Sequence, residues 1–266
     1  MDEPPPTLLT DDDAGVRTIR LNRPDVLNAF NDDMLASLAK AVRAAEKDST
    51  VRCVVITGSG RAFSSGQDLA DVKARYDSPE PIELGQHLRD TYNPIINKLR
   101  TMEKPVIAAV NGVAAGAGCS LALACDMRLA AESASFIQAF IHVGVIPDSG
   151  STFMLPRLVG MARAMELAFT GRRVKAEEAV RIGLANRMVA DDALHDETMT
   201  LARKLATLPT KTIGLTKRAI GAAWNNDLPA QLDYEAQLQT TAGKTHDHRE
   251  GVAAFLEKRA ARFEGR

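Results

Sequence analysis

The sequence predicts an α/β fold in which a mainly parallel sheet is followed by a helical C-terminal region. Two observations predict it. Up to about residue 140, short apolar runs typical of buried strands alternate with helical patterns, as in sheets whose parallel strands are joined by helical crossovers. After about residue 190 the patterns are all helical. We therefore predict a core over residues 7–190 and a helical region over residues 191–266.

The first elements are defined by their apolar patterns. Val16 to Leu21 predicts a strand, and Asn31 suits the N-cap of a helix with one apolar face, formed by Met34, Leu35, Leu38 and Val42. Cys53 to Thr57 predicts a fully buried strand, which the turn at residues 58–60 closes.

The remaining elements continue this alternation. A helix is predicted from about Pro81 to Met102, and a second buried strand from Pro105 to Val110. Strand patterns recur from Asp126 to Ala131 and from Ala134 to Gln138. Helices are then predicted at residues 191–207, 209–223, 228–242 and 246–262, a layer that packs on the core or on another subunit. The ends, residues 1–6 and 264–266, are expected to be frayed.

The composition is that of a globular protein without a strong charge. Of its 266 residues, 45% are hydrophobic and 25% charged, and the net charge is −1. This balance gives no basis for binding nucleic acid or an anionic membrane, and no apolar stretch reaches the roughly 18 residues that a membrane span needs. Cys53, Cys119 and Cys125 lack metal-ligand spacing, so we expect buried thiols, no metal site and a cytoplasmic protein.

Asp148 stands alone after a long apolar segment. Residues 133–147 contain almost only apolar side chains and, after Glu132, no carboxylate until Asp148. We expect such an acid to face a partly dehydrated pocket, where the pKa of a carboxyl rises and its conjugate base becomes stronger. Asp148 also precedes Ser149-Gly150-Ser151, a sequence suited to helix capping. Both interpretations remain open from the local sequence.

Two glycine-rich turns follow the two most apolar strands. One runs from Phe63 to Leu69, and the other from Asn111 to Ser120 into a helix. Glycines let backbone N–H groups approach a ligand closely, and a helix N-terminus adds a positive dipole end. The turns could hold a phosphate or an oxyanion, although the glycine order is not that of a dinucleotide site. Tight packing between strand and helix is the alternative.

Several segments share a family signature. They are Asn22-Arg23-Pro24, Asn28-Ala29-Phe30, Ala62 to Leu69, Lys104 to Gly112, Gly116-Ala117-Gly118-Cys119, Cys125-Asp126 and Arg249 to Arg259. Together they resemble the enoyl-CoA hydratase/isomerase (crotonase) superfamily, in that family's order, over about residues 20–263.

The resemblance implies a crotonase-like spiral of ββα turns with a C-terminal helical trimerisation region, assembled as a homotrimer or a dimer of trimers. It implies an acyl-CoA thioester substrate, with CoA as part of the substrate and no separate cofactor. The backbone N–H groups of Gln67 and Ala117 would grip the thioester oxygen, because a developing enolate needs preorganised donors.

The resemblance also implies substrate or CoA contacts at Ser65, Gly66, Asp68, Leu69, Gly116, Phe140, Phe255 and Lys258. Phe255 and Lys258 would close the CoA pocket of a neighbouring subunit. A solvated helix face is the other interpretation of Lys258, and Asp68 is also a candidate for fixing its loop.

Two departures from the family pattern concern acids. The family's hydratases activate water with two glutamates, and the matching positions here are Ser120 and Phe140. Addition of water needs a base for the water and an acid for the carbon, and neither residue supplies one. A hydratase is therefore not expected, and Asp148 is left as the proton carrier.

Asp148 stands where several isomerases of the family carry their acid. Residues 145–165 are most similar to isomerases of phenylacetate degradation, apart from His142 before the turn and Ser149-Gly150-Ser151, where a further glycine is usual. We expect an isomerase that converts a 3-enoyl-CoA to a 2-enoyl-CoA or rearranges a 1,2-epoxyphenylacetyl-CoA to an oxepin-CoA. A dehalogenase-like enzyme with Asp148 as nucleophile and a non-catalytic CoA-binding scaffold remain as alternatives.

Overall fold

Two β-sheets organise the fold in a computed structural model that describes residues 5–76 and 83–266. The strands of this part of the chain are β1 (Leu8–Asp13), β2 (Val16–Leu21), β3 (Cys53–Gly58), β4 (Ala62–Ser64), β5 (Val106–Val110), β6 (Val113–Ala115), β7 (Met127–Ala131), β8 (Ser135–Ile137), β9 (Arg173–Lys175) and β10 (Arg187–Val189). The helices are α1 (Asp32–Lys47), α2 (Leu69–Tyr76), α3 (Leu84–Asp90), α4 (Tyr92–Thr101), α5 (Ala117–Ala124), α6 (Ser151–Val159), α7 (Met161–Thr170), α8 (Ala176–Arg181), α9 (Leu194–Thr207), α10 (Thr210–Ala222), α11 (Leu228–Gly243) and α12 (His246–Leu256). No helix in the described ranges combines the length and apolarity that crossing a membrane requires.

From β3 to β8, consecutive strands alternate between the two sheets. The larger sheet has the order β1-β2-β3-β5-β7-β10, and the smaller has the order β4-β6-β8-β9. Each of the pairs β3–β4, β5–β6 and β7–β8 therefore places one strand in each sheet before the chain enters helix. Neighbouring strands are parallel except in the pairs β1–β2 and β8–β9. This arrangement is a spiral of ββα turns, and it confirms the predicted fold class.

The core is built on the larger sheet. Strands β3 and β5 are buried along their whole length, as strands covered on both faces are. Helix α1 buries the predicted apolar face, and α4 adds Ile95 and Leu99. Helix α9 buries Met199 and Ala202 in the same core. The first long helix beyond residue 190 thus packs on the spiral, and the division at residues 190 and 191 stays a prediction.

Two predicted helices differ from the observed ones. The helix predicted from Pro81 starts outside the described residues, and its remainder is broken between α3 and α4. Pro94 has no N–H to bond the Asp90 carbonyl, and the Thr91 hydroxyl bonds the His87 carbonyl at 2.7 Å, so a continuous helix is not formed. The last helix ends at Leu256 rather than residue 262, and Lys258 beyond it adopts a left-handed conformation.

The C-terminal residues are held in place, so the expectation that residues 264–266 are frayed is wrong. The Asp247 carboxylate, 1% exposed, accepts hydrogen bonds from the backbone N–H groups of Glu264 and Gly265, both at 2.7 Å. The Asp247 N–H donates to the Arg266 carbonyl at 3.0 Å. A buried carboxylate with two N–H partners satisfies both itself and the chain end.

Candidate active site

Three segments of the predicted site follow the carboxyl ends of neighbouring strands in the smaller sheet. Strand β4 ends at Ser64, β6 at Ala115 and β8 at Ile137, and β6 pairs in parallel with both of the others. Gln67, Ala117 and Asp148 lie on the segments that follow them. Because parallel strands present their carboxyl ends at one edge, the topology gathers these three residues from distant parts of the sequence.

The first glycine turn is fixed through its backbone. The Phe30 N–H donates to the Gly66 carbonyl at 2.7 Å, and the Asp68 N–H donates to the Phe30 carbonyl at 2.9 Å. The Gly66 N–H donates to the buried Ser64 hydroxyl at 3.1 Å. Between these bonds, the Gln67 N–H has no acceptor among the described residues. It is therefore a fixed donor available to a ligand.

The second turn places another such donor at a helix start. Gly116 precedes α5 with φ of 51° and ψ of −125°, a conformation that glycine tolerates. Its N–H donates to the Ile137 carbonyl at 3.0 Å, which ties the turn to β8. Ala117 is the first helical residue, so its N–H has no partner within the helix, and none elsewhere in the described chain.

The two turns are in direct contact. A methyl group added to Gly66 would lie 2.7 Å from the Ala115 carbonyl oxygen and 3.2 Å from the Ala117 nitrogen. One added to Gly118 would lie 2.5 Å from the Ser64 carbonyl oxygen. Close packing, the alternative left open by the sequence, is thus what brings the Gln67 and Ala117 donors together. Two fixed N–H groups, one in a turn and one at a helix start, are suited to receive an oxyanion.

Asp148 is held against the same helix. Its carbonyl oxygen accepts hydrogen bonds from the Ser120 hydroxyl at 3.0 Å and from the Ser151 N–H at 2.9 Å. Ser120 lies one turn beyond Ala117 in α5 and is fully buried. Ser120 thus links the Asp148 backbone to the helix that carries the second predicted donor.

The Asp148 side chain does not cap α6, so the capping interpretation is wrong. Gly150 occupies the N-cap position, and no side chain bonds the first turn of the helix. Ser149 and Gly150 are both left-handed, with φ of 51° and 77°, and they separate Asp148 from the helix start. The Asp148 Oδ1 atom accepts a hydrogen bond from the Ser149 hydroxyl at 2.9 Å.

Partial burial raises the pKa of the Asp148 carboxyl, and the Ser149 hydroxyl opposes that rise. The burial does not come from the apolar segment before it, as the sequence suggested. Ile141 and Val143, in a short 3-10 helix at Ala139–Val143, are 45% and 52% exposed in the single chain, and Ile146 beyond that helix is 79% exposed. Phe140, at the other hydratase-acid position, is buried at 6% exposure.

The sequence did not indicate a buried polar group formed by Ser151, Gln138 and Cys119. The Ser151 hydroxyl donates to Gln138 Oε1 at 2.8 Å, and Gln138 Nε2 contacts the Cys119 sulfur at 3.3 Å. Burial raises the pKa of the Cys119 thiol to about 12, so it is protonated at neutral pH. Ser151 stands where a further glycine was expected, and its hydroxyl satisfies the Gln138 carboxamide.

The Gln67 side chain is positioned by a residue that the sequence did not indicate. The Tyr92 hydroxyl donates to Gln67 Oε1 at 2.6 Å, and the Tyr92 ring packs edge-on against Phe30. Tyr92 lies at the start of α4, 25 positions away in the sequence, so no local pattern links the two.

The predicted CoA-contacting residues of the first turn have structural partners as well. Asp68 forms a 2.9 Å ion pair with Arg23, which also bonds the Ala29 carbonyl, so Asp68 does fix its loop. The Ser65 hydroxyl donates to the Val26 carbonyl at 3.3 Å. Leu69 begins α2 and is 56% exposed.

Phe255 and Lys258 belong to the C-terminal region and not to the segments that follow β4, β6 and β8. Phe255 lies in the last turn of α12, which packs on α11, and Lys258 lies just beyond that helix. Both are exposed, Phe255 to 83%. The single chain does not bring them to the two turns, and their predicted contact with a neighbouring subunit stays a prediction.

Comparison with known proteins agrees with this geometry. The sequence matches the enoyl-CoA hydratase/isomerase family over residues 11–266. It is 48% identical over 259 residues to the 1,2-epoxyphenylacetyl-CoA isomerase of Escherichia coli, covering 97% of this chain and 98% of that protein. It is 46% identical to a probable enoyl-CoA hydratase of Rhodobacter capsulatus, covering 95% of each.

Solved structures show the same fold. The crystal structure of an enoyl-CoA hydratase from Bacillus anthracis superposes with a TM-score of 0.91 at 34% identity, covering 98% of this chain and 100% of that one. The resemblance noted in the sequence is thereby confirmed: the chain belongs to the enoyl-CoA hydratase/isomerase, or crotonase, family.

Proposed function

We propose that this protein is an acyl-CoA isomerase in which Asp148 carries a proton between two carbons of the acyl chain. Family membership establishes the coarser function, an enzyme of acyl-CoA hydratase/isomerase chemistry. The observation that carries the finer proposal is the position of Asp148. Its backbone is bonded to Ser120 on the helix that begins with the Ala117 donor.

Each group has a defined task in this reaction. The thioester oxygen of a 3-enoyl-CoA accepts hydrogen bonds from the Gln67 and Ala117 N–H groups. The Asp148 carboxylate removes a proton from C2, and the electron pair delocalises into the thioester as a dienolate. The resulting carboxylic acid returns the proton to C4, which leaves a 2-enoyl-CoA and regenerates the carboxylate. General base catalysis typically supplies about 10²–10⁴-fold, and each oxyanion donor a similar factor.

Hydration is less well supported by the same geometry. Water addition needs two acid–base groups, and the hydratase positions hold a serine and a phenylalanine. The Ser120 hydroxyl is already bonded to the Gly116 and Asp148 carbonyls, and Phe140 is buried. Several relatives carry hydratase names, among them the Rhodobacter capsulatus protein, so a hydration assay belongs in the test.

An aromatic epoxide thioester is the second substrate candidate. The Escherichia coli relative, 48% identical, is named as the isomerase of 1,2-epoxyphenylacetyl-CoA. From this epoxide, the protein described here would form the oxepin-CoA. Charge developing on that thioester would be stabilised by the same two N–H donors, so both substrates use the machinery described above.

The assembly proposed with this function is a homotrimer or a dimer of trimers. Large apolar side chains are exposed on the outer helices and on the segment before Asp148: Ile146, Leu228, Leu232, Phe255 and Leu256. Large apolar side chains that a single chain leaves exposed are candidates for burial between subunits. A cytoplasmic location and the lack of a separate cofactor are retained as predictions.

The replacement Asp148→Asn tests the proposed function. Turnover of 3-hexenoyl-CoA, followed by the absorbance of the conjugated thioester, should fall by about 10² or more, while CoA binding measured by calorimetry is kept. Unchanged turnover would refute the base role. A covalent acyl adduct on Asp148, detected by mass spectrometry, would instead indicate a nucleophile.

A substrate panel separates the remaining possibilities. The wild-type protein is assayed with 3-hexenoyl-CoA, with 2-hexenoyl-CoA in water for hydration, and with 1,2-epoxyphenylacetyl-CoA. The ratio of kcat/KM values identifies the acyl group. Inactivity toward all three, with CoA still bound, would favour a non-catalytic scaffold.

A further inference from the structure

Ser149 adopts a backbone conformation that is unfavourable for residues with a Cβ atom. Its φ is 51°, it is followed by the left-handed Gly150, and its side chain is 3% exposed. Glycine adopts this region readily, but L-residues other than asparagine and aspartate adopt it rarely, because Cβ crowds the backbone. Such conformations persist where surrounding contacts impose them, often at functional sites.

The Ser149 side chain has one partner in the described part of the chain. Its hydroxyl donates to Asp148 Oδ1 at 2.9 Å. Glycine at position 149 would relieve the backbone but would remove this hydroxyl. The serine therefore retains a strained backbone together with a hydrogen bond to the proposed base.

The backbone of Asp148 does not depend on that hydroxyl. Its carbonyl is fixed by the Ser120 hydroxyl and the Ser151 N–H, at 3.0 Å and 2.9 Å. What the Ser149 hydroxyl adds is control of the carboxylate itself. With Oδ1 occupied by Ser149, Oδ2 has no partner among the described residues.

We propose that Ser149 is a positioning residue for the isomerase reaction, holding the Asp148 carboxylate in one orientation so that Oδ2 exchanges the proton with the substrate. The assignment rests on the proposed function of Asp148. The arrangement serves both half-reactions: Oδ1 accepts from Ser149 when the group is a carboxylate, and again when Oδ2 carries the proton. The transferred proton is thus confined to one oxygen throughout.

Two replacements test this role, with 3-hexenoyl-CoA as the substrate. Ser149→Gly and Ser149→Ala both remove the hydroxyl, so kcat should fall about tenfold in each, which corresponds to loss of one hydrogen bond to a charged group, and KM should change little. Both variants lose the hydrogen bond to Asp148, but Ser149→Gly should be more thermally stable than Ser149→Ala, because glycine relieves the left-handed backbone. A kinetic defect of the same size in two variants of different stability is not a folding defect.

The pH profile provides the readout that a purely structural role would not change. The pKa of Asp148 is governed by burial, which raises it, and by the Ser149 hydroxyl, which lowers it; no charged side chain of the described residues adds to these two. Removing the hydroxyl should therefore move the acid limb of kcat/KM to higher pH. Ser151→Ala is the matched control: it removes a buried hydroxyl two residues away, at the start of α6, that bonds Gln138 instead, and its acid limb should coincide with that of wild type.

The outcomes separate this inference from the proposed function. If Asp148→Asn is inactive while both Ser149 variants keep the wild-type kcat and acid limb, the positioning role is wrong and the base role survives. If Asp148→Asn keeps its turnover, both are wrong. The inference is supported if the acid limb moves to higher pH in both Ser149 variants and stays at its wild-type position in Ser151→Ala.

Discussion

Asp148 is partly buried, and burial raises the pKa of its carboxyl above the ordinary 3.8. The raised pKa has opposite consequences for catalysis and folding. The folded state holds the proton more tightly than the unfolded chain, so this group's stabilising contribution is complete below pH 3.8 and is lost as pH rises through the folded-state pKa. At neutral pH, where this carboxyl is ionised in the unfolded chain, the raised folded-state pKa therefore makes Asp148 a cost to stability relative to an uncharged side chain.

Asp148→Asn should for this reason be more stable than wild type at pH 7, although we expect it to be inactive. The asparagine resembles the neutral acid, so the difference in melting temperature should shrink as the pH is lowered toward 3.8. Thermal melts of both proteins over this pH range measure it. A wild-type protein that is more stable than the variant at pH 7 would contradict the assigned pKa direction.

The two glycines that precede the oxyanion donors are required for different reasons. In Gly66→Ala the new methyl group would meet the Ala115 carbonyl at 2.7 Å, which forces the two turns apart. In Gly116→Ala the methyl has open space, and the cost comes from φ of 51° with ψ of −125°. Both changes should misplace one donor and lower kcat for 3-hexenoyl-CoA by about 10²–10³-fold.

Gly221→Ala is the control for these variants. It lies within α10, a methyl group there has nothing within 4 Å, and its backbone is helical. Wild-type kcat in Gly66→Ala, in a protein with a native circular dichroism spectrum, would show that the contact between the turns does not set the donor geometry.

At the scale of elements, the sequence predicted those parts of the fold whose burial is continuous. Strands β3 and β5 and the apolar face of α1 were found because their buried positions are almost all apolar. Strands β4, β6, β9 and β10, which were not predicted, have three residues each, too few for a period to emerge, although the equally short β8 was predicted from Ala134 to Gln138. The apolar segment before Asp148 was expected to line a pocket around that residue, and this expectation failed for a related reason. Apolar composition predicts that side chains will be buried, but it does not identify the surface that buries them.

The residues of the candidate site likewise divide into those that the sequence could identify and those that it could not. The glycine turns and Asp148 could be singled out from residue type and order, because each has a chemistry that few residues share. Tyr92, Gln138 and Ser151 could not, because their roles come from partners 25, 19 and 13 positions away. These contacts exist only once the spiral stacks its turns.

The buried group formed by Ser151, Gln138 and Cys119 supports the start of α6 rather than the chemistry. Ser151→Ala would leave the Gln138 Oε1 atom without its donor in a fully buried position, which should destabilise the protein by about 1–3 kcal/mol. Urea denaturation should give a lower midpoint with an unchanged slope, and kcat should stay within about twofold of wild type. Wild-type stability would indicate that Gln138 finds another donor.

At the scale of the whole molecule, the spiral explains why the proposed donors and the proposed base lie at one edge of a sheet, but it leaves Phe255 on the surface. The turns after β4, β6 and β8 meet at one sheet edge within a single chain. Phe255 follows them by more than one hundred positions and is 83% exposed on α12. If the chain assembles as proposed, Phe255 completes the CoA pocket of a neighbour, and each active site is built from two subunits.

Subunit mixing tests this arrangement directly. Phe255→Ala should raise KM for 3-hexenoyl-CoA with little change in kcat, because it removes binding shared by substrate and transition state. Asp148→Asn should be inactive with Phe255 intact. In oligomers reassembled from both variants, a site that takes Asp148 from one chain and Phe255 from the other is complete. Part of the turnover in the mixture should therefore show the wild-type KM.

The alternative arrangement gives a different result in the same experiment. If Phe255 served the site of its own chain, every site in the mixture would lack either Asp148 or Phe255, and the KM would stay at the Phe255→Ala value. Light scattering of the wild-type protein should give the mass of three or six chains of 28.7 kDa each. A monomeric wild type with full activity would overturn the shared site, because the exposed Phe255 would then have no neighbour to serve.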